Sequence, residues 1–167
     1  MAFDGITIAA MVKELHLNLD GGRFNKIAQP EADELLITGK GANGQCRLLL
    51  SASASLPLIY FTSKNKPSPM TAPNFCMLLR KHIGSARVSD IRQPGMERVV
   101  MFELEHLNEL GDPCKKVLIM ELMGKHSNII FCDDKGMILD SIKHVSSHMS
   151  SCLLYTSDAA DDLTRVD

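Results

Sequence analysis

Residues 5–19 read GITIAAMVKELHLNL, with Ile8, Met11, Val12, Leu15 and Leu19 recurring at helical intervals and Lys13 and Glu14 on the other side. That spacing predicts an amphipathic helix. Asp4 stands where an N-cap belongs, and Gly21-Gly22 ends the pattern. A second helical spacing falls in 74–83, where Phe75, Leu78, Leu79 and His82 lie three and four apart and Gly84 closes the run. At least one of Leu78 and Leu79 is expected to be buried. Elsewhere the apolar positions come in short strand-like runs: 23–29 (ended by Pro30), 35–40, 46–51, 58–62, 87–92, 98–106, 115–123, 127–132 and 137–143. Gly41-Ala42-Asn43-Gly44 reads as a hairpin turn, Gly111-Asp112-Pro113 as another, and Asp133-Asp134-Lys135-Gly136 as a tight turn. Residues 64–73 hold three prolines and no period, so an exposed loop is expected there. Two helices among about nine short strands predict an α+β fold, a mainly antiparallel β-sandwich with flanking helices.

Composition narrows the classes. The chain has 167 residues, 45% hydrophobic and 23% charged, the mix of one globular domain rather than a disordered, collagenous or coiled-coil chain. The longest apolar stretch, Val117 to Met123, is interrupted by Glu121, and no run reaches the ~18 residues of a membrane-spanning helix. The N-terminus has no basic flank before an apolar segment, so no secretory signal is read and a cytoplasmic location is expected. The last sixteen residues, CLLYTSDAADDLTRVD, match the translated end of a transposon-based sequencing adapter. Residues 1–151 are therefore expected to be the native domain, truncated at its C-terminal end, and 152–167 a non-native tail. The tail holds four aspartates against one arginine, so setting it aside moves the formal charge from −2 to +1. Neither value makes a strong overall field, and nucleic-acid affinity would have to come from local patches. Cys46, Cys76, Cys114 and Cys132 form no CxxC pair and read as free thiols.

Phosphate-loop, dinucleotide-binding, nucleophile-elbow and zinc-protease motifs are all absent from the sequence. Gly39 to Gly44 lacks the Gly-Lys-Ser/Thr ending and the strand-to-helix context of a phosphate cradle, so it reads as a turn. His144 and His148 are four apart, but on a strand end that spacing builds no metal site. No metal, cofactor or small-molecule substrate is expected. Basic side chains do group locally: Arg80-Lys81-His82 at the end of the second helix, Lys125-His126 in a turn, Lys143-His144 after the last strand, and Glu97-Arg98 opening a strand after Pro94-Gly95. Solvated turns and the helix dipole account for such groups as readily as phosphate contacts do. With six Phe, two Tyr and no Trp, a base-stacking platform is not indicated.

Several segments taken together are specific. They are Met1-Ala2-Phe3-Asp4-Gly5, Gly22-Arg23-Phe24-Asn25-Lys26-Ile27 with Gln29-Pro30, FCMLLRKH at 75–82, ELMGKHSNII at 121–130, and ILDSIKHV at 138–145. In this order they resemble the N-terminal NFACT domain of the RqcH/NEMF family, in bacteria often labelled fibronectin-binding protein A. The resemblance runs from Met1 to about Ser147. It implies a fold similar to the N-terminal β-sandwich of formamidopyrimidine-type DNA glycosylases. It also implies a ribosome-associated quality-control factor that binds large ribosomal subunits holding peptidyl-tRNA. Such a factor positions alanyl-tRNA for template-free tailing and leaves peptide-bond formation to the ribosome, so it is not itself an enzyme.

The family's Asp-Arg pair for tRNA handling falls on Glu97-Arg98, with glutamate one methylene longer. Asp4 matches another functional acid, and Lys125 stands where arginine is frequent, which keeps the charge but loses the bidentate fork. The RNA-binding candidates are thus Asp4, Arg23, Lys26, Arg80, Lys81, His82, Glu97, Arg98, Lys125 and His126. Two rival readings each lack a feature they need. A glycosylase of that fold needs an N-terminal proline amine, and this chain begins Met-Ala-Phe-Asp. A fibronectin-binding surface adhesin would call for a signal or anchor, and none is read.

Overall fold

Nearly every strand pairs antiparallel with its neighbour in sequence, and the one exception decides the architecture. The computed structural model describes residues 4–144. Helix α1 spans Gly5–Leu19 and helix α2 Asn74–Ile83. The strands are β1 (Arg23–Glu31), β2 (Glu34–Gly41), β3 (Gly44–Ser51), β4 (Leu58–Phe61), β5 (Arg87–Arg92), β6 (Val99–Leu107), β7 (Pro113–Glu121), β8 (Asn128–Asp133) and β9 (Ile138–Ser141). They form one sheet in the order β4-β3-β2-β1-β5-β6-β7-β8-β9. Two meanders, β4 to β1 and β5 to β9, thus lie side by side. They meet at a single register pair, Arg23 with Arg87. Backbone bonds from Gly21 and Val88 tie the same corner.

Inner-face residues of both halves share one core with the helices. Leu35, Ile37, Leu48 and Leu50 come from one half, Phe102, Leu118, Met120 and Phe131 from the other, and Ile8, Leu15, Leu19, Phe75 and Leu79 from the helices. The Phe24 and Phe102 rings, 6.3 Å apart, join β1 to β6 across β5. The mainly antiparallel α+β architecture is as read. The hydrogen-bond ladder runs through all nine strands, so the two layers are halves of one continuous sheet.

Local details follow from chemistry. Asp4 caps α1, its Oδ1 accepting from the Thr7 N–H at 2.8 Å. Leu79 is fully buried while Leu78 is half-buried. The glycines at 39–41 serve packing: a Cβ on Gly41 would stand 1.9 Å from the Asn18 carbonyl oxygen at the end of α1. Two expectations are corrected. β1 continues through Pro30 to Glu31, because its ladder to β2 is irregular between Ala28 and Glu31, and a bulge tolerates a residue without an N–H. β6 begins at Val99, so Glu97 and Arg98 sit on the preceding loop. The tail at 152–167 and His148 lie outside the described residues.

Candidate nucleic-acid interface

β6 sorts the candidate residues into two groups at its two ends. Arg98 precedes the strand and His106 nearly ends it, roughly 26 Å apart at about 3.3 Å per residue.

The first group sits on the rim where β6 begins. The loop 93–98 is clamped from both sides. The Gln93 side-chain amide donates to the carbonyls of Gly5 (3.0 Å) and Glu97 (2.7 Å), and the Glu97 N–H donates to the Pro94 carbonyl. Gly5 packs so closely that an added Cβ would stand 2.2 Å from the Met96 carbonyl oxygen. Asp4, Glu97 and Arg98 are thereby held at one end of the fold. The Leu122 N–H donates to the Arg98 carbonyl, which brings the 3₁₀ turn Gly124–His126 to the same end. Glu97, Arg98, Lys125 and His126 are all exposed. Among the described residues, none of these four side chains has an ion-pair or hydrogen-bond partner. Among the described residues Glu97 and Arg98 do not pair with each other either, which leaves both groups available to a ligand. Asp4 differs, because the Thr7 amide it caps holds its carboxyl below the usual range.

Beneath this rim lies Glu121, the last residue of β7, opposite Val99 and Asn128. It is 1% exposed, and neither carboxyl oxygen is hydrogen-bonded. Burial alone pushes its pKa up to about 8, so it carries its proton at neutral pH.

The second group forms a basin at the far end of β6. Arg23, Arg80, Lys81, His82, Arg87 and His106 line a cavity of about 590 Å³. Lys81, His82, His106 and Lys116 line an adjoining one of about 460 Å³. Here the arginines also hold the fold. Arg80 Nε donates to the Ile27 carbonyl at 2.7 Å, Arg23 Nη1 to the Ser85 carbonyl at 3.0 Å, and Arg87 pairs with Glu105 at 2.6 Å. Lys26 joins neither group. It lines a small cavity with Ala28, Leu36 and Lys66, where the 62–73 segment approaches β1 and β2.

Sequence reading missed His106, Lys116, Arg87 and Glu121. For Glu121 the signal was present as one acid inside an apolar run. For the other three it was not, because only the strand register brings them together. His16, Asp20 and Asp90 also gather their ligand atoms within 4.8 Å, with His16 Nδ1 3.7 Å from an Asp20 carboxylate oxygen.

The sequence profile described as NFACT N-terminal and middle domains matches residues 4–156. The chain belongs to this NFACT family. The domain is 40% identical over 154 residues to a protein named Rqc2 homolog RqcH from Bacillus subtilis (strain 168), covering 90% of this chain and 27% of that protein. It is 27% identical over 161 residues to the human ribosome quality control complex subunit NEMF, covering 96% of this chain and 13% of that one. Among solved structures, the N-terminal domain of fibronectin-binding protein PavA from Streptococcus pneumoniae superimposes with a TM-score of 0.85 at 37% identity. That match covers 89% of this chain and 57% of the other. The NFACT domain described here therefore spans about a quarter of the Bacillus relative's length. Among the described residues, no helix is long and apolar enough to cross a membrane.

Proposed function

We propose that this domain is the RNA-contacting front module of a ribosome quality-control factor, working on large ribosomal subunits that still hold peptidyl-tRNA. In this reading it positions alanyl-tRNA for template-free extension of the nascent chain. The chemistry of peptide-bond formation stays with the ribosome, and the domain is not itself a catalyst. The observation that carries the reading is the free Glu97-Arg98 pair on a clamped loop. Arg98 can donate to a phosphate or a base edge, and Glu97 can accept from a ribose hydroxyl or a base amino group. At the same end Lys125 adds phosphate-compatible charge and His126 a ring N–H donor. Family kinship with proteins named RqcH and NEMF supports the ribosomal setting.

The test is Glu97→Ala with Arg98→Ala in the full-length parent, expressed in cells lacking the native copy. Co-sedimentation with the large subunit should persist while alanine tails on stalled chains disappear. Normal tails in the double variant would remove the pair from the mechanism. A second reading, fibronectin binding, is favoured by the name of the Streptococcus pneumoniae structural neighbour. Saturable capture of the chain by immobilised fibronectin, undiminished in the same double variant, would support it.

A further inference from the structure

The basin at the far end of β6 has a feature that general basic character does not explain. His82 and His106 stand edge to face, their ring centroids 6.2 Å apart, and His82 also lies 5.9 Å from the Phe131 ring. His106 Nδ1 is 3.1 Å from the Leu107 carbonyl, and its Nε2 is 3.2 Å from the Lys116 ammonium. A carbonyl only accepts and an ammonium only donates, so these two contacts assign the neutral ring with its proton on Nδ1. Protonating His106 would break the Lys116 contact and set two cations against each other.

The surroundings are lopsided in charge. Arg80 and Lys81 come from α2, Arg23 from β1, Arg87 from β5, and Lys115 and Lys116 from β7. Against them stand Glu105, already paired with Arg87, and Glu109 in the β6–β7 loop. Burial, and then the charge of Lys116, hold the His82 ring below its ordinary pKa. Burial outweighs the Leu107 carbonyl at His106, with the same result.

We propose that this basin binds a phosphate group and that binding is coupled to proton uptake by His82 and His106. An anion seated among Lys81, Lys116 and the two rings would cancel the repulsion that keeps the rings neutral and would accept from their N–H groups. Linkage is reciprocal. If the anion favours the protonated rings, acidification must favour the anion. The window lies between the lowered values of the free rings and their raised values in the complex. Two sources offer the same chemistry, the phosphodiester of an RNA strand and free inorganic phosphate. The site is distinct from the Glu97-Arg98 rim, so the inference does not depend on the tailing reading.

The test follows the histidine Cε1 protons of the 167-residue chain by NMR from pH 5 to 8. It is run alone, with inorganic phosphate, and with a hexauridylate lacking terminal phosphate. His16, outside the basin, is the reference. Phosphate or hexauridylate should raise the titration midpoints of His82 and His106 and leave His16 in place. Affinity for hexauridylate, whose phosphodiesters keep their charge in this range, should tighten about tenfold between pH 7.5 and 5.5, whereas inorganic phosphate itself takes up a proton there and is read by the histidine midpoints. A response to hexauridylate names RNA as the source, and a response to phosphate alone names the free anion. His82→Gln with His106→Gln should abolish the pH dependence of hexauridylate binding. Because His82 packs on Phe131, Lys116→Gln serves as a second variant. It should raise the free-state midpoint of His106 and weaken binding at every pH. Midpoints unmoved by both ligands, or a pH dependence of hexauridylate binding that survives the double variant, would overturn the proposal.

Discussion

The two ends of β6 carry similar side chains in opposite circumstances. At the basin the arginines are engaged: Arg80 holds the Ile27 carbonyl, Arg23 the Ser85 carbonyl, and Arg87 the Glu105 carboxylate. At the rim the Arg98 and Glu97 side chains have no hydrogen-bond or ion-pair partner among the described residues, while the backbone beneath them is locked by Gln93, Gly5 and Pro94. A charge already used within the fold contributes stability and changes little on binding. A free charge on a rigid loop contributes almost nothing to stability, and its full interaction energy remains for a partner. The comparison teaches that basic residues cannot be ranked as binding candidates by count or exposure. Their existing partners decide.

Substitutions can sharpen or break that contrast, read by denaturation of the 167-residue chain. The largest effect is expected beside Arg80, at Leu79, whose truncation to alanine removes fully buried volume shared by α2 and both halves of the sheet. Leu79→Ala should cost about 2–5 kcal/mol, and a cost under about 0.5 kcal/mol would refute the placement of α2 on the core.

Next comes Glu121 beneath the rim. Its folded pKa of about 8 lies above the ordinary glutamate value. The folded state therefore holds a proton that the unfolded state releases, and stability falls as pH rises between the two values. Glu121→Gln does not titrate, so it should match the parent near pH 5 and exceed it by a few kcal/mol at pH 8. Thermal melts that stay parallel across this range would show that the carboxyl is solvated.

Gly5→Ala should cost about 1–3 kcal/mol, because the Met96 carbonyl must move aside. If the rim depends on that clamp, the same change in the full-length parent should also reduce tailing. The smallest effects make the contrast most direct. Arg80→Ala should cost about 1–2 kcal/mol through the lost charge-assisted bond, and Arg98→Ala less than about 0.5 kcal/mol. Equal costs at the two positions would erase the distinction between engaged and free charge.

Much of the fold was legible in the periodicities. Both helices match their expected bounds, and each strand-like run holds a strand, because side chains that alternate in or out of a core leave that mark locally. Pro30 misled because a bulge excuses a missing N–H, which only the pairing shows. The ladder between β1 and β5 was invisible for the same reason. The site was legible in part. Glu97 and Arg98 came from a motif, but the absence of an ion pair between their side chains came from the loop geometry. The basin's His106 and Lys116 carry no local pattern, since a hairpin diagonal brings them together. Glu121 could have been flagged, because an acid inside a buried run must be neutralised or paired.

The seam at Arg23 and Arg87 has a consequence for the order of folding. Seven of the eight strand pairings join sequence neighbours, most of them by turns a few residues long, which close quickly and at small entropic cost. The seam instead joins segments far apart, as the Arg23 contact to Ser85 across 62 positions illustrates. Each meander can therefore assemble from its own hairpins before this corner closes, and the slowest search belongs to a joint with a single register pair. The same joint carries two of the cations that line the basin. The basin is thus complete only once the last long-range contact has been made, and its histidine signals would report the final docking of the two halves during refolding.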